Sequence, residues 1–200
     1  MQAKTYIFFL ALSLGGSAAA QPAEAQDHSG HDAPYEGYQT REIKSLSEQD
    51  IADIRRGAGW GLALLAELNG KPGPAHLLEL KDDIGLSGEQ VAAIEIVYKD
   101  MRAEAIEAGE RFIEAEAALN TAFEGGDLDE ARLLDLIAEA ASARAALRFT
   151  HLSRHLSTPA LLTEEQIRRY NVLRGYADDP CGKAPEGHDP DMWRKHNKCG

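Results

Sequence analysis

An all-α fold, a bent hairpin of four to five helices built on two long antiparallel helices, is what the sequence predicts, and three observations predict it. From Ser87 to about Phe123 there is no proline, Gly109 is the one interior glycine, and the apolar residues keep a seven-residue spacing. A second apolar-periodic segment follows directly on Gly125-Gly126 and runs to about Leu156. Two long helices joined by so short a turn must fold back on each other. The third observation is a repeated helix-start cassette, Leu86-Ser87-Gly88-Glu89-Gln90 and Leu162-Thr163-Glu164-Glu165-Gln166, one on each side of the hairpin.

Taken in order, the chain opens with Lys4, an apolar run from Tyr6 to Leu14 and the small residues Gly15 to Ala20. This pattern predicts a signal peptide over 1–20 and export to the periplasm. No later segment approaches the roughly 20 apolar residues a membrane span needs, so no span is expected in the mature chain. Residues 21–44 read as a flexible N-terminal arm. Within it Asp27, His28, His31 and Asp32 form a small metal-friendly group, most simply a solvated polar tail. Cleavage after Ala25 instead of Ala20 would leave Gln26-Asp27-His28 at the terminus, an arrangement that can enclose Cu(II) or Ni(II).

Ser45-Leu46-Ser47-Glu48 has the form of a capping box and predicts a helix to about Leu68. Gly57, Gly59 and Gly61 around Trp60 cost such a helix up to about 1 kcal/mol each, and close packing of another helix is the expected compensation. Asn69 to Pro74 turns the chain, and Pro74 suits the first position of a short helix reaching Ile84. Ser87 and Gln90 then start the first long helix. Its expected seam is Val91, Tyr98, Ala105, Phe112, Leu119 interlocked with Ile94, Met101, Ala108, Ala115, Ala122, while Glu104, Glu107, Glu110, Glu114 and Glu116 face water.

Asp127 to Glu130 reads as the capping box of the second long helix. Leu133, Leu134, Ile137, Ala140, Ala141, Leu147, Phe149 and Leu152 are its expected buried side. After Ser157-Thr158-Pro159, Thr163 is expected to cap a last helix reaching about Tyr176. The helical domain thus spans 45–176, and 177–200 is a polar tail bounded by Cys181 and Cys199. Export puts both cysteines where thiols oxidise, so one disulfide is expected, with a metal-thiolate site as the alternative.

The formal charge of −12 at pH 7 argues against nucleic acid and anionic lipid as partners, which require a basic face. No Gly-rich phosphate loop, nucleophile elbow or HExxH motif is present, so no enzyme activity is expected. The sharpest chemical signal is His151 and His155. Four residues apart on a helix, they stack on one face and can reach one ion or one pocket. The bland alternative is that they cap the end of their helix, where the macrodipole favours a cation, and bond backbone carbonyls.

An exported helical chain with a long central hairpin and two Leu-Ser/Thr-x-x-Gln cassettes resembles the Spy/CpxP superfamily, the LTxxQ-motif family. That family includes ATP-independent periplasmic chaperones and heavy-metal sensor or resistance proteins of the CnrX and ZraP kind. The resemblance covers about Ser45 to Tyr176 and rests on Leu86, Ser87, Gln90, Leu162, Thr163 and Gln166. It implies a bent hairpin paired as a homodimer that forms a cradle.

The metal branch of the family places ligands on the first helices and an i, i+4 pair late in the hairpin, which His151 and His155 match. The segment Ser45 to Leu68 holds no histidine, so His76 is the expected third ligand, with water or a carboxylate such as Glu67 or Glu79 completing the set. Imidazoles suit Zn, Cu, Ni and Co alike. The resemblance also implies alternatives: a chaperone for unfolded clients, for which Arg144, Arg148, Arg154, Arg168 and Arg169 would have to cluster, or an adaptor that inhibits a sensor kinase.

Overall fold

The computed structural model describes residues 33–197 and Cys199. The expected signal peptide and the group from Gln26 to Asp32 lie outside the described residues. The chain divides into the units Met1–Glu36 and Gly37–Gly200. In the first, Glu36 N–H donates to Ala33 O at 2.8 Å and closes a turn. The second holds eight α-helices and no strand among the described residues: α1 Glu48–Arg55, α2 Leu64–Leu68, α3 Pro74–Glu79, α4 Lys81–Ile84, α5 Gly88–Gly125, α6 Glu130–Ser157, α7 Glu164–Leu173 and α8 Pro190–His196. No helix among the described residues is long and apolar enough to cross a membrane.

The fold is all-α and its frame is the α5/α6 hairpin, turned at Gly126 in a left-handed conformation, φ 79°. On α5 six of the ten expected seam residues are buried, Ile94, Met101, Ala105, Ala108, Phe112 and Ala115, together with Gly109 and Ile113; Val91, Tyr98, Leu119 and Ala122 are half-buried. On α6 the expectation fails for half the side. Leu136, Ala140, Leu147, Thr150, His151 and His155 are buried, whereas Leu134, Ile137, Ala141 and Phe149 are exposed. The helix carries apolar residues on two opposite faces, and only one of them meets α5.

The expected helix over 45–68 is two helices with a strap between them. Ser47, not Ser45, is the N-cap, because Ser47 and Asp50 form the reciprocal box, while Ser45 Oγ donates to Glu116 Oε2 at 2.6 Å. Residues 56–63 leave the helix through positive φ at Gly57 (73°), Trp60 (44°) and Gly61 (69°). Of the three glycines, only Gly57 serves close packing: a Cβ there would stand 2.9 Å from Arg102 O. Similarly, the N-cap of α6 is Asp129 rather than Asp127, the helix expected from Pro74 to Ile84 is divided at Leu80 into α3 and α4, and α7 stops at Leu173, short of the expected Tyr176. Ile43 is buried in the core with Leu46 and Ile54, so the chain is anchored before residue 45.

The two cassettes tie the ends of the hairpin together. In each, the Ser or Thr side chain accepts from the glutamine backbone and the glutamine Oε1 accepts from the cap backbone. The glutamines then bond across: Gln90 Nε2 donates to Leu161 O and Gln166 Oε1, both at 2.8 Å. Gln166 Nε2 donates to Gly85 O at 3.1 Å and Gln90 Oε1 at 2.9 Å. Every donor of both amides is used, which apolar packing could not replace. Gln166→Leu is expected to destabilise the chain by about 1–3 kcal/mol through the lost cap and the unpaired partners, read as a lower urea midpoint.

Cys181 and Cys199 form a disulfide with Cα atoms 5.5 Å apart. The loop it closes contains α8, which the sequence reading did not foresee; Asp189 caps it, and Trp193 Nε1–H donates to Pro180 O at 2.6 Å.

Candidate functional site

α2, α3, α5, α6 and the strap surround a cavity of about 350 Å³, lined among others by Glu67, His76, His151, His155, Met101 and Arg174. All three sequence-predicted histidines reach this one space. Of the two carboxylates considered with them, Glu67 is present, while Glu79 is exposed and does not line it. Pro74 fixes the start of α3 and so places His76 two residues into it. His155 packs on Gly73, where a Cβ would stand 2.5 Å from the imidazole. Only glycine at 73 leaves the ring its place.

Glu67 is the hub. It is buried at 7 % exposure, and His76 Nδ1 lies 3.0 Å from its Oε1. The Tyr170 hydroxyl donates to Oε2 in a short bond. Burial acts to raise the Glu67 pKa, but the bonds from His76 and Tyr170 and the charges of His76 and His155 outweigh it and leave it lowered. For Tyr170, burial and then the bond to Glu67 hold the phenolic proton on.

A carboxyl group with a depressed folded pKa stabilises the fold above its unfolded value and loses that contribution as pH falls through the folded one. Stability measured by urea unfolding should therefore decline as pH drops below about 4.3, the unfolded carboxyl value, and Glu67→Gln should remove this part of the acid limb.

The proton positions follow from the partners. The Lys71 carbonyl can only accept, so His155 Nδ1, 2.7 Å away, carries the hydrogen. Its Nε2 faces Glu67 Oε1 at 3.9 Å. His151 is 2 % exposed, and burial first, then the charges of His155 and Arg154, push its pKa down, so it is neutral near pH 7. Its Nε2 is buried without a hydrogen-bond partner. A charged cap therefore does not describe His151; His155, in the last turn of α6, bonds a backbone carbonyl as the bland alternative has it.

Nδ1–H donation to a carbonyl is how a histidine that ligates through Nε2 is commonly held. Three imidazoles and a carboxylate suit a divalent first-row ion, and the unpartnered Nε2 of His151 is an observation that fits one. The donors surround a space wider than a single ion: among the described residues no three His, Cys, Asp or Glu side chains form a closed metal-binding group. Sequence reasoning did not find Tyr170, Arg174 or the Lys71 carbonyl. Tyr170 is 103 residues from Glu67, and a backbone carbonyl has no sequence signature.

Compared with family models, with curated proteins and with solved structures, the chain matches none.

Proposed function

We propose that this chain is a periplasmic metal-binding protein of the Spy/CpxP type that serves as an envelope-stress or heavy-metal sensor or resistance protein. The observation that carries the reading is the meeting of Glu67, His76, His151 and His155 on one cavity, with the Nε2 of His151 buried and unpartnered. A cation is the group that this arrangement favours. Glu67 on α2, His76 on α3 and His151 and His155 on α6 would hold it. Its charge would connect three elements that now meet through hydrogen bonds and packing, which is a means of passing occupancy to the fold. Titration of the purified chain with Zn(II), Ni(II), Co(II) and Cu(II) tests the reading: dissociation constants in the micromolar range or below are expected for at least one, and affinities no tighter than millimolar for all four would end it.

The expected homodimer has a face to use. Leu134, Ala138, Ala141, Ala145, Phe149 and Leu156 are exposed, and at helical spacing they form one stripe along α6, opposite its buried side. Phe149→Glu should convert a dimer to a monomer in analytical ultracentrifugation.

The same stripe also suits the chaperone alternative. Against it, three of the five arginines are engaged: Arg154 with Glu104, Arg168 with Glu165, and Arg144 over the Trp60 ring. Suppression of aggregation of a reduced model client at stoichiometric ratio would favour the chaperone reading over the sensor.

A further inference from the structure

The cavity beneath the strap holds more space than its polar groups fill. A cavity of about 150 Å³ accepts benzene, and this one, at about 350 Å³, has room for two fused aromatic rings. Trp60, Leu64, Pro74, Tyr98 and Met101 give it aromatic, aliphatic and thioether surface, the lining that holds a flat apolar body. Leu64 lines it and is yet 56 % exposed, so the cavity opens to solvent on that side. Its charged groups are occupied with one another. His76 stands between Glu67 Oε1 at 3.0 Å and Arg174 Nη2 at 3.5 Å, Tyr170 donates to Glu67 Oε2, and the Glu67 charge acts on Arg174. An entering carboxylate meets Glu67 and an entering ammonium meets Arg174, so a neutral molecule is favoured. Among the described residues, two side chains lining the cavity have a buried nitrogen without a partner, Arg174 at Nε and His151 at Nε2. The guanidinium is already held through Nη2 by His76 and the Tyr176 hydroxyl. His151, 2 % exposed, is the one left for a ligand to satisfy. A hydroxyl both donates and accepts, so it suits Nε2 whichever ring nitrogen carries the imidazole hydrogen.

We infer that the cavity is a site for a small neutral aromatic molecule that carries a hydroxyl group, its rings against Trp60, Tyr98 and Met101 and its hydroxyl on His151 Nε2. Binding makes one hydrogen bond and apolar contacts, and no covalent bond forms or breaks. The inference does not rest on the metal reading. Because both occupants use His151 Nε2, an ion and this molecule exclude each other.

Equilibrium dialysis of the purified chain against β-naphthol, naphthalene and β-naphthoate tests it, with EDTA present throughout so that metal plays no part in the outcome. The expected result is about one β-naphthol per chain with a dissociation constant of about 100 µM or below. Naphthalene, which lacks the hydroxyl, should bind about ten-fold more weakly, and β-naphthoate more weakly than β-naphthol because its charge meets Glu67. His151→Leu should bring β-naphthol to the level of naphthalene and leave naphthalene as tight as before. Leu64→Asp, at the first position of α2 where an acid suits a helix, should weaken β-naphthol and naphthalene alike. In the native chain, the imidazole nitrogen resonances of His151 should shift when β-naphthol is added, which reads the contact without any variant. A dissociation constant for β-naphthol above about 1 mM overturns the inference, as does equal affinity for naphthalene or tighter binding of β-naphthoate. A hydroxyl preference that survives in His151→Leu, unmoved His151 resonances, or binding unchanged in Leu64→Asp overturns it as well, because the molecule is then seated elsewhere.

Discussion

Replacing His151 and His155 together by alanine is expected to weaken metal binding by more than the roughly 10–100-fold that loss of an outer-shell partner produces, because two of the four donors go. The fold should survive. His155 gives up one hydrogen bond, to Lys71 O, and His151 gives up none from its buried Nε2. An imidazole buried at 2 % exposure with a nitrogen left unpaired is a burden on stability of about 1–3 kcal/mol. His151→Leu should therefore raise the melting temperature of the metal-free chain while lowering its affinity for metal. Opposite movement of the two quantities separates a binding residue from a packing residue. Calorimetric titration and thermal unfolding monitored by circular dichroism, run on the same samples, would show it.

The largest effect on stability is expected at Gly109. A Cβ at this position would stand 2.5 Å from Ile54 Cγ2 and 3.1 Å from Ile54 O, so α1 lies directly on the backbone of α5. Alanine there gains about 1 kcal/mol of helix propensity but must push α1 away at an overpacking cost of about 1–3 kcal/mol. Gly109→Val adds two methyl groups more than alanine does, loses most of the propensity gain, and should destabilise by about 3 kcal/mol or more. At roughly 2–4 °C per kcal/mol for a chain of this size, the melting temperature should fall by about 6–12 °C. The end of α1 runs straight into the strap that lines the histidine cavity, so the same variant should also weaken metal binding.

Much of this architecture was legible because its signals are local. Proline-free heptads, a double glycine and cap residues at fixed offsets specify α5, α6 and the start of α7 without reference to the rest of the chain. The strap was not legible. Glycine between helical segments reads alike whether it admits a neighbouring backbone, as Gly109 does, or supplies a positive φ, as Gly61 does at 69°. The core side of α6 was half legible for a related reason: apolar residues on opposite faces do not say which face finds a partner. His151 and His155 were visible as a pair, since a helix fixes their relation. That His76 and Glu67 meet them depends on Gly73, Pro74 and the bend of the chain between α2 and α3. What orients His155, a carbonyl 84 residues away, leaves no trace in sequence.

The central claim is that Glu67, His76, His151 and His155 bind one divalent ion. X-ray absorption at the metal K edge of the Ni(II)- or Zn(II)-loaded chain tests it most directly. The account predicts a first shell of nitrogen and oxygen with the outer-shell scattering of three imidazoles, falling to one in the His151→Ala, His155→Ala double variant. A shell of oxygen alone, a sulfur contribution from the tail, or a spectrum unchanged in the double variant would contradict it.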